Sequence, residues 1–359
     1  MIRLLVVDDS ALMRKLLGQI FGAEADFEIA FARDGVEALQ TIAEFRPDVV
    51  TLDVQMPRMD GLECLDRIML EHPCPVVMLS SLTEDGARET LKALEIGAVD
   101  FATKPAGAIS LGIDELAPVL VEKVRMAASV KVRRSLRLAD RVRLGGAVSR
   151  PHLSKAPARH IAAAAGPAKA GLVLIGTSTG GPTALDAILP HLPASFRLPI
   201  VVAQHMPASF TGALAQRLGK ICALPVTEVT RLTPLDAGHV YIAKGDADIV
   251  ISSRDGSLVA MAAPVDGKYR WHPSVDRLVA SAMDHVPAQD LVGVLLTGMG
   301  NDGAGPMTKL HAAGGHTIAE SQETAVVWGM PGELVRLNGA SEVRRVDQIA
   351  SSLVQRVGI

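Results

Sequence analysis

Short, almost wholly aliphatic runs recur along this chain, each closed by a polar residue and followed by a helix-period segment. In residues 1 to about 128 the runs IRLLVVD, FEIAFA, DVVTLDV, PVVMLS and AVDFATK alternate with ALMRKLLGQIF, GVEALQTIAEF, GLECLDRIML, ARETLKALEIG and IDELAPVLVEKVRMAA. A strand covered on both faces reads as a continuous apolar run, whereas a half-exposed strand alternates. Five such strands separated by helices predict a parallel, doubly wound sheet. The alternation resumes at residue 171 with LVLIG, LPIVVAQ, HVYIAK, LVGVLLTG and HTIAES, separated by segments such as PTALDAILPHL, FTGALAQRL, DRLVASAMDHV and GPMTKLHAAG. DIVISSRDGSLVAMAA breaks the series with period-2 alternation about Asp255-Gly256, the mark of a hairpin. The fold class read from this pattern is α/β, with two doubly wound, mostly parallel units.

Periodicity lapses between the units. From Lys123 to Arg159 eleven Lys or Arg stand against one acid, Asp140, and AAAAGPAKAG follows. This composition reads as a linker. It lacks the interleaved aromatics of a nucleic-acid surface, so no nucleic-acid partner is expected. The 359 residues suffice for two domains, and with 48% hydrophobic but 3% aromatic residues their cores must be aliphatic. A net charge of -3 favours no class of partner. Cys64, Cys74 and Cys222 are odd in number and lack metal-ligand spacing, as expected of thiols in a reducing compartment. Two acids interrupt the apolar start MIRLLVVDDS, unlike a signal peptide, and no apolar run approaches the ~18 residues of a membrane helix. The expectation is a soluble, cytoplasmic protein without membrane insertion.

In an open parallel sheet, ligands gather at the carboxyl ends of the strands. In the first unit those ends carry Asp8 and Asp9, Asp53, Ser80 with Ser81, and Lys104 before Pro105. Three carboxylates at one point repel one another unless a cation joins them, and a hard Mg²⁺ suits oxygen ligands. A lysine can hold anionic oxygens, and a neighbouring hydroxyl can turn to a new oxyanion. The set fits phosphoryl transfer onto a carboxylate. On these residues, residues 1 to about 125 resemble a two-component receiver domain. The resemblance implies a flavodoxin-like five-stranded parallel sheet in the order 2-1-3-4-5. It implies Asp53 as phosphoacceptor, Asp8, Asp9 and Asp53 as the Mg²⁺ site, and Ser80, Phe101 and Lys104 as the switch residues. A histidine kinase is the implied phosphodonor.

In the second unit, Gly176-Thr177-Ser178-Thr179-Gly180 lies between a strand and a helix and fits G-x-S-x-G. The turn can cradle a phosphate on free backbone N–H groups or mount a nucleophile. The dinucleotide pattern fails at Ser178, and the phosphate-loop pattern fails for want of a lysine. The motif alone leaves both readings open. Among the ten histidines, His205 ends the next strand, in Gln204-His205-Met206-Pro207, where it can accept the Ser178 proton. Asp302, in the Gly-rich loop GMGNDG after LVGVLLTG, can orient that imidazole. The order Ser, His, Asp differs from the Ser, acid, His order of α/β-hydrolases. A rival local set, His272, Ser274 and Asp276 in WHPSVD, reads better as a cap on the helix DRLVASAMDHV.

GTSTGG, QHMP, TGMGNDG, PSVD and ETAVVWGMPGE together resemble the catalytic domain of the chemotaxis protein-glutamate methylesterases, and with the receiver in front the resemblance spans nearly the whole chain. It implies a receiver over 1–125, a linker over 126–168 and a methylesterase domain over 169–359. It implies Ser178 as nucleophile, His205 as base, Asp302 as orienting acid, and N–H groups of Met299 and Thr179 at the oxyanion. The implied substrates are methylated, or amidated, chemoreceptor side chains, with Mg²⁺ serving only the receiver. The linker is longer and more basic than the family pattern, and Trp271-His272 departs from it before PSVD. Two other functions fit the same motifs: a phospho-regulated, non-enzymatic binding module and a small-molecule esterase.

Overall fold

The structure is a computed structural model, and it describes residues 1–104, 113–130 and 171–358. The expected linker lies outside the described residues from 131 onward, and residues 126–128 form the last turn of a helix. The first unit alternates β1 (Ile2–Val7), α1 (Ala11–Gly22), β2 (Phe27–Ala32), α2 (Gly35–Phe45), β3 (Val49–Asp53), α3 (Gly61–Glu71), β4 (Val76–Ser80), α4 (Glu84–Ile96), β5 (Asp100–Thr103) and α5 (Ile113–Ala128). Its sheet order is β2-β1-β3-β4-β5, all parallel. The polar residues between strand and helix start the helices: Ser10, Asp34, Asp60 and Thr83 each accept a backbone N–H from the first turn. The strand-helix turns are thereby held at the sheet's carboxyl edge, where Asp53 and Ser80 close their strands.

The second unit has a seven-stranded sheet. Its strands are β6 (Leu172–Thr177), β7 (Ile200–Gln204), β8 (Val226–Val229), β10 (Val240–Ala243), β13 (Leu291–Leu295), β14 (His316–Glu320) and β15 (Glu342–Arg344). The order is β15-β14-β13-β6-β7-β10-β8, and every pairing is parallel. Among the described residues, antiparallel pairing is confined to a separate sheet of β9 (Thr233–Pro234), β11 (Asp248–Arg254) and β12 (Ser257–Ala263), with the hairpin turning at Asp255-Gly256. The helices are α6 (Gly181–Ile188), α7 (Ala208–Ile221), α8 (Val275–Met283), α9 (Ala304–Ala312), α10 (Met330–Arg336) and α11 (Val346–Val357). The sequence reading missed β8, β9 and β15. Each is at most four residues long, and β8 and β15 are edge strands, too half-exposed to read as apolar runs.

Aliphatic side chains fill both sheets, and one cluster of buried apolar residues runs from the first unit into the second. At this junction Phe101 of β5 stacks on Phe210 of α7, with ring centroids 4.5 Å apart and planes 24° apart. Arg217 of α7 reaches Glu95 of α4 at 2.7 Å and also pairs with Asp186 of α6. Burial lowers the Arg217 pKa, partly offset by Glu95. A buried guanidinium is tolerated only when paired, so these contacts fix α4 against α7.

Candidate active site

The strand β6 lies at the switch point of the larger sheet, flanked by β7 on one side and β13 on the other. A crevice opens where the crossovers leave such a strand in opposite directions. Ser178 follows β6, His205 follows β7, and Asp302 lies in the loop after β13, so all three stand at that crevice. His205 Nε2 and Asp302 Oδ2 are 2.8 Å apart, both side chains buried. The other ring nitrogen, Nδ1, is buried without a partner among the described residues. Ser178, His205 and Met299 line one cleft of about 380 Å³.

Asp302 is held by more than the imidazole. Its carboxylate accepts the N–H groups of Val275 (2.7 Å) and Asp276 (2.9 Å) and the Ser274 hydroxyl (3.2 Å). These donors form the first turn of α8, so the acid sits on the positive end of a helix. Ser274 caps the same helix by accepting the Arg277 N–H. The WHPSVD segment is therefore a capped helix start, as the sequence reading preferred, but its N–H groups serve Asp302 in addition. Asp276 stands against Asp302 and accepts the Gly303 N–H at 2.7 Å. Burial and then the Asp302 charge push the Asp276 carboxyl up to about 6.

The turn that carries Ser178 is tied from both flanks. Ser178 N–H donates to Thr297 O (3.0 Å), and Thr177 Oγ1 donates to the same oxygen (3.0 Å). Thr297 Oγ1 donates to Thr179 O at 2.9 Å. Gln204 Nε2 donates to Ser178 O (2.9 Å) and His205 O (3.1 Å). Thr297 is anchored in turn by its N–H to Glu320 Oε2 at 2.8 Å. Burial raises the Glu320 pKa above its ordinary value. Gly298 allows the close approach, because a Cβ there would lie 2.4 Å from Met330 Sδ and 2.7 Å from Ser178 Cβ. The N–H groups of Thr179 and Met299 donate to no acceptor among the described residues. The supporting roles of Gln204, Thr297 and Glu320 escaped the sequence reading, which placed the α8 start but not its contact with Asp302. The polar cap before DRLVASAMDHV was the one local signal, and it did not reveal which acid the helix would hold.

The first unit reaches into this cleft. Phe101, Ala102, Thr103, Glu122 and Lys123 share its lining with Ser178 and His205. Asp100 Oδ2 accepts the Thr179 hydroxyl at 2.5 Å, across the boundary between the units. Lys123 Nζ bonds Asp100 at 2.9 Å and Phe101 O at 2.9 Å. Asp100 of β5 thus bonds the serine turn itself, and Lys123 of α5 holds that carboxylate.

At the carboxyl edge of the first sheet, Lys104 Nζ lies 2.8 Å from Asp8 Oδ2 and 2.7 Å from Asp53 Oδ2. One oxygen each from Asp8, Asp9 and Asp53 lies within 4.8 Å of the others. Burial raises the Asp53 pKa, and Lys104 only partly reverses it. For Lys104, burial is outweighed by its bonds to Asp53 and Asp8, and its pKa lies above the ordinary value. Asp8 Oδ2 is buried, and its close partner among the described residues is the Lys104 ammonium. Three converging carboxylates with one lysine among them offer the hard oxygen donors that a divalent cation takes. Ser80 Oγ donates to Gly86 O at 3.1 Å, which ties it to the first turn of α4.

Known proteins match both halves. Residues 173–353 match the family described as CheB methylesterase, and residues 4–112 match the response regulator receiver domain. A protein-glutamate methylesterase/protein-glutamine glutaminase of Rhodopseudomonas palustris is 56% identical over 99% of this chain and 98% of its own. One of Thermotoga maritima is 41% identical over 99% of this chain and 98% of its own. The crystal structure of the Thermotoga maritima CheB methylesterase catalytic domain covers 52% of this chain and 97% of its own, at 38% identity and a TM-score of 0.50. With two matched domains in one chain and relatives that match it from end to end, this protein belongs to the CheB methylesterase family and carries a response-regulator receiver domain ahead of the esterase.

Proposed function

We propose that this protein hydrolyses γ-methyl esters of glutamate on the cytoplasmic segments of chemoreceptors, under control of its receiver. The observation that carries the reading is the buried His205–Asp302 pair in the cleft lined by Ser178. With Asp302 accepting a hydrogen bond from Nε2–H, Nδ1 is left as the basic nitrogen that takes the Ser178 proton. Ser178 Oγ attacks the ester carbonyl. The tetrahedral oxyanion rests on the unpartnered N–H groups of Met299 and Thr179. The imidazolium gives its proton to the leaving methoxide, and methanol departs. Water, deprotonated by His205, then releases the acid and restores Ser178. A glutamine side chain enters the same sequence with ammonia leaving, which supports a glutaminase activity.

The domains follow as a receiver over 1–125, a linker over 126–168 and a methylesterase over 169–359. Asp53 accepts the phosphoryl group from a chemotaxis-type histidine kinase; Asp8, Asp9 and Asp53 would hold a Mg²⁺, which would supply neutralising charge to the phosphoryl oxygens. Lys104 contacts the phosphoryl oxygens. Ser80 turns from Gly86 O towards them, and Phe101 follows. Phe101 is stacked on Phe210 and Asp100 is bonded to Thr179, so that movement loosens the receiver from the serine turn. No helix among the described residues is long and apolar enough to cross a membrane. Action on receptor cytoplasmic segments places the protein in the cytoplasm.

The test is methanol release from methylated receptor membranes, with and without a small phosphodonor. Release that the phosphodonor stimulates is expected. Protein that reacts with a serine-directed fluorophosphonate yet releases no methanol from receptors acts on another ester. Protein that neither reacts nor releases methanol is a binding module.

A further inference from the structure

We propose that Trp271 is a positioning residue for the base and the oxyanion loop, and that Asp248 holds it there. The proposal rests on the esterase reading above. The Trp271 indole lies parallel to the His205 imidazole, with centroids 5.8 Å apart and planes 7° apart. The same indole packs on the loop after β13. Gly300 has φ +82°, and a Cβ added there would lie 2.6 Å from Trp271 Cη2. One rigid side chain thus touches both the base that follows β7 and the turn that carries Met299.

The need for such a support follows from the hydrogen bonds. The His205 ring is tied by its Nε2 bond alone, and its Nδ1 has no partner among the described residues. A ring held at one atom can swing about that atom. A flat neighbour in offset-parallel contact removes that freedom without offering a competing polar group to Nδ1. Misplacement of the base by a fraction of an ångström is expensive in rate.

Trp271 is itself held on both sides in sequence. The buried Asp248 carboxylate, at the start of β11, accepts His272 Nδ1 (2.8 Å), the Ser274 N–H (2.9 Å) and Arg277 Nη1 (2.8 Å). Burial would raise the Asp248 pKa, but these donors outweigh it and hold the carboxyl below its ordinary value. The residue after Trp271 is therefore pinned within the esterase. The residue before it is pinned to the receiver: Arg270 lies over the indole at 4.9 Å and bonds Glu122 of α5 at 2.8 Å. Only the Asp248 anchor persists if the receiver moves away, which is why Asp248 is assigned the supporting role.

The experiment uses the full chain with a phosphodonor and compares wild type with Trp271→Ala, Trp271→Phe and Asp248→Asn. Two rates are read: labelling of Ser178 by a small fluorophosphonate, and methanol release from methylated receptor membranes. Trp271→Ala is expected to slow labelling and kcat in parallel by about tenfold or more, with KM within about twofold. Trp271→Phe should recover most of both, and Asp248→Asn should shift both in the same direction by less. Unchanged labelling with a raised KM would make Trp271 a wall for the receptor segment and overturn the proposal. Equal losses in Ala and Phe that track a fall in Tm would reduce it to packing and overturn it likewise. Wild-type protein that labels but releases no methanol breaks the ester assignment only, and the labelling series still decides the role of Trp271.

Discussion

The two pockets sit at the same address in their sheets and solve opposite-looking problems with acids. In the receiver, Asp8 and Asp53 share Lys104, and Asp8, Asp9 and Asp53 bring three carboxylate oxygens within 4.8 Å of one another, a donor set that suits a cation. In the esterase, Asp276 and Asp302 stand together with no lysine between them. Asp302 takes two helix N–H groups, a hydroxyl and an imidazole, while Asp276 is pushed up to about 6. On the proposed reading, one pocket cancels charge with Lys104 and a divalent cation, which suits a carboxylate that gains and loses a phosphoryl group. The other cancels it with fixed backbone dipoles, and so keeps one geometry through each turnover. A strand end fixes where chemistry can happen, and the neighbours of the carboxylate decide which chemistry.

That contrast can be broken at four places. The largest effect is expected from Ser178→Ala, which should lower methanol release by about 10³-fold or more while phosphorylation of Asp53 continues at its normal rate. Release near wild-type rates would move the nucleophile elsewhere. Asp53→Asn should do the converse. Unstimulated release stays, and the phosphodonor response, of the order of 5–100-fold for a typical coupling between sites, disappears. A residual response would mean a second phosphoacceptor.

Asp100→Ala addresses the contact between the pockets. It removes the Thr179 bond at 2.5 Å and one partner of Lys123. Hydrogen bonds to charged groups contribute about 1.5–3 kcal/mol each, so release without phosphodonor should rise by about tenfold or more. A fall instead would show that Asp100 supports the turn rather than restrains it. The smallest effect concerns Asp276→Asn, in which Oδ1 can still accept the Gly303 N–H. The folded protein holds the Asp276 proton more tightly than the unfolded chain does. Its contribution to stability is therefore full below about pH 4 and is lost as pH rises through about 6. Asparagine carries no charge at any pH, so the variant should melt about 2–4 °C above wild type at pH 8 and gain little at pH 4.5. An equal gain at both pH values would exclude the ionised pair as the cause.

The long strands and the strand-end residues were legible because they obey local rules. A two-sided buried strand must be apolar, and a polar residue must follow it. The short strands β8, β9 and β15 obey no such rule, since edge pairing tolerates half-polar sequences such as VTEV. The candidate site was legible only in part. Ser178 and His205 announce themselves by turn and strand end, but Asp100 lies inside AVDFATK and looks like any residue of a buried strand. Glu320 likewise looks like an ordinary strand end.

By itself the sequence determined the two parallel sheets, the order of the domains and the residue types offered at each strand end. These depend on periodicity and on neighbours within a few positions. Tertiary structure alone decided which groups meet: the α8 start under Asp302, Thr297 behind Ser178, Asp100 on Thr179, and Trp271 against His205 and Gly300. Those partners are separated by between 26 and 120 residues or lie on different domains, as with Asp276 and Asp302 or Thr177 and Thr297. A local pattern carries no information about contacts at that range. They exist because helices pack at fixed distances on twisted sheets, and that packing brings distant loops to one edge.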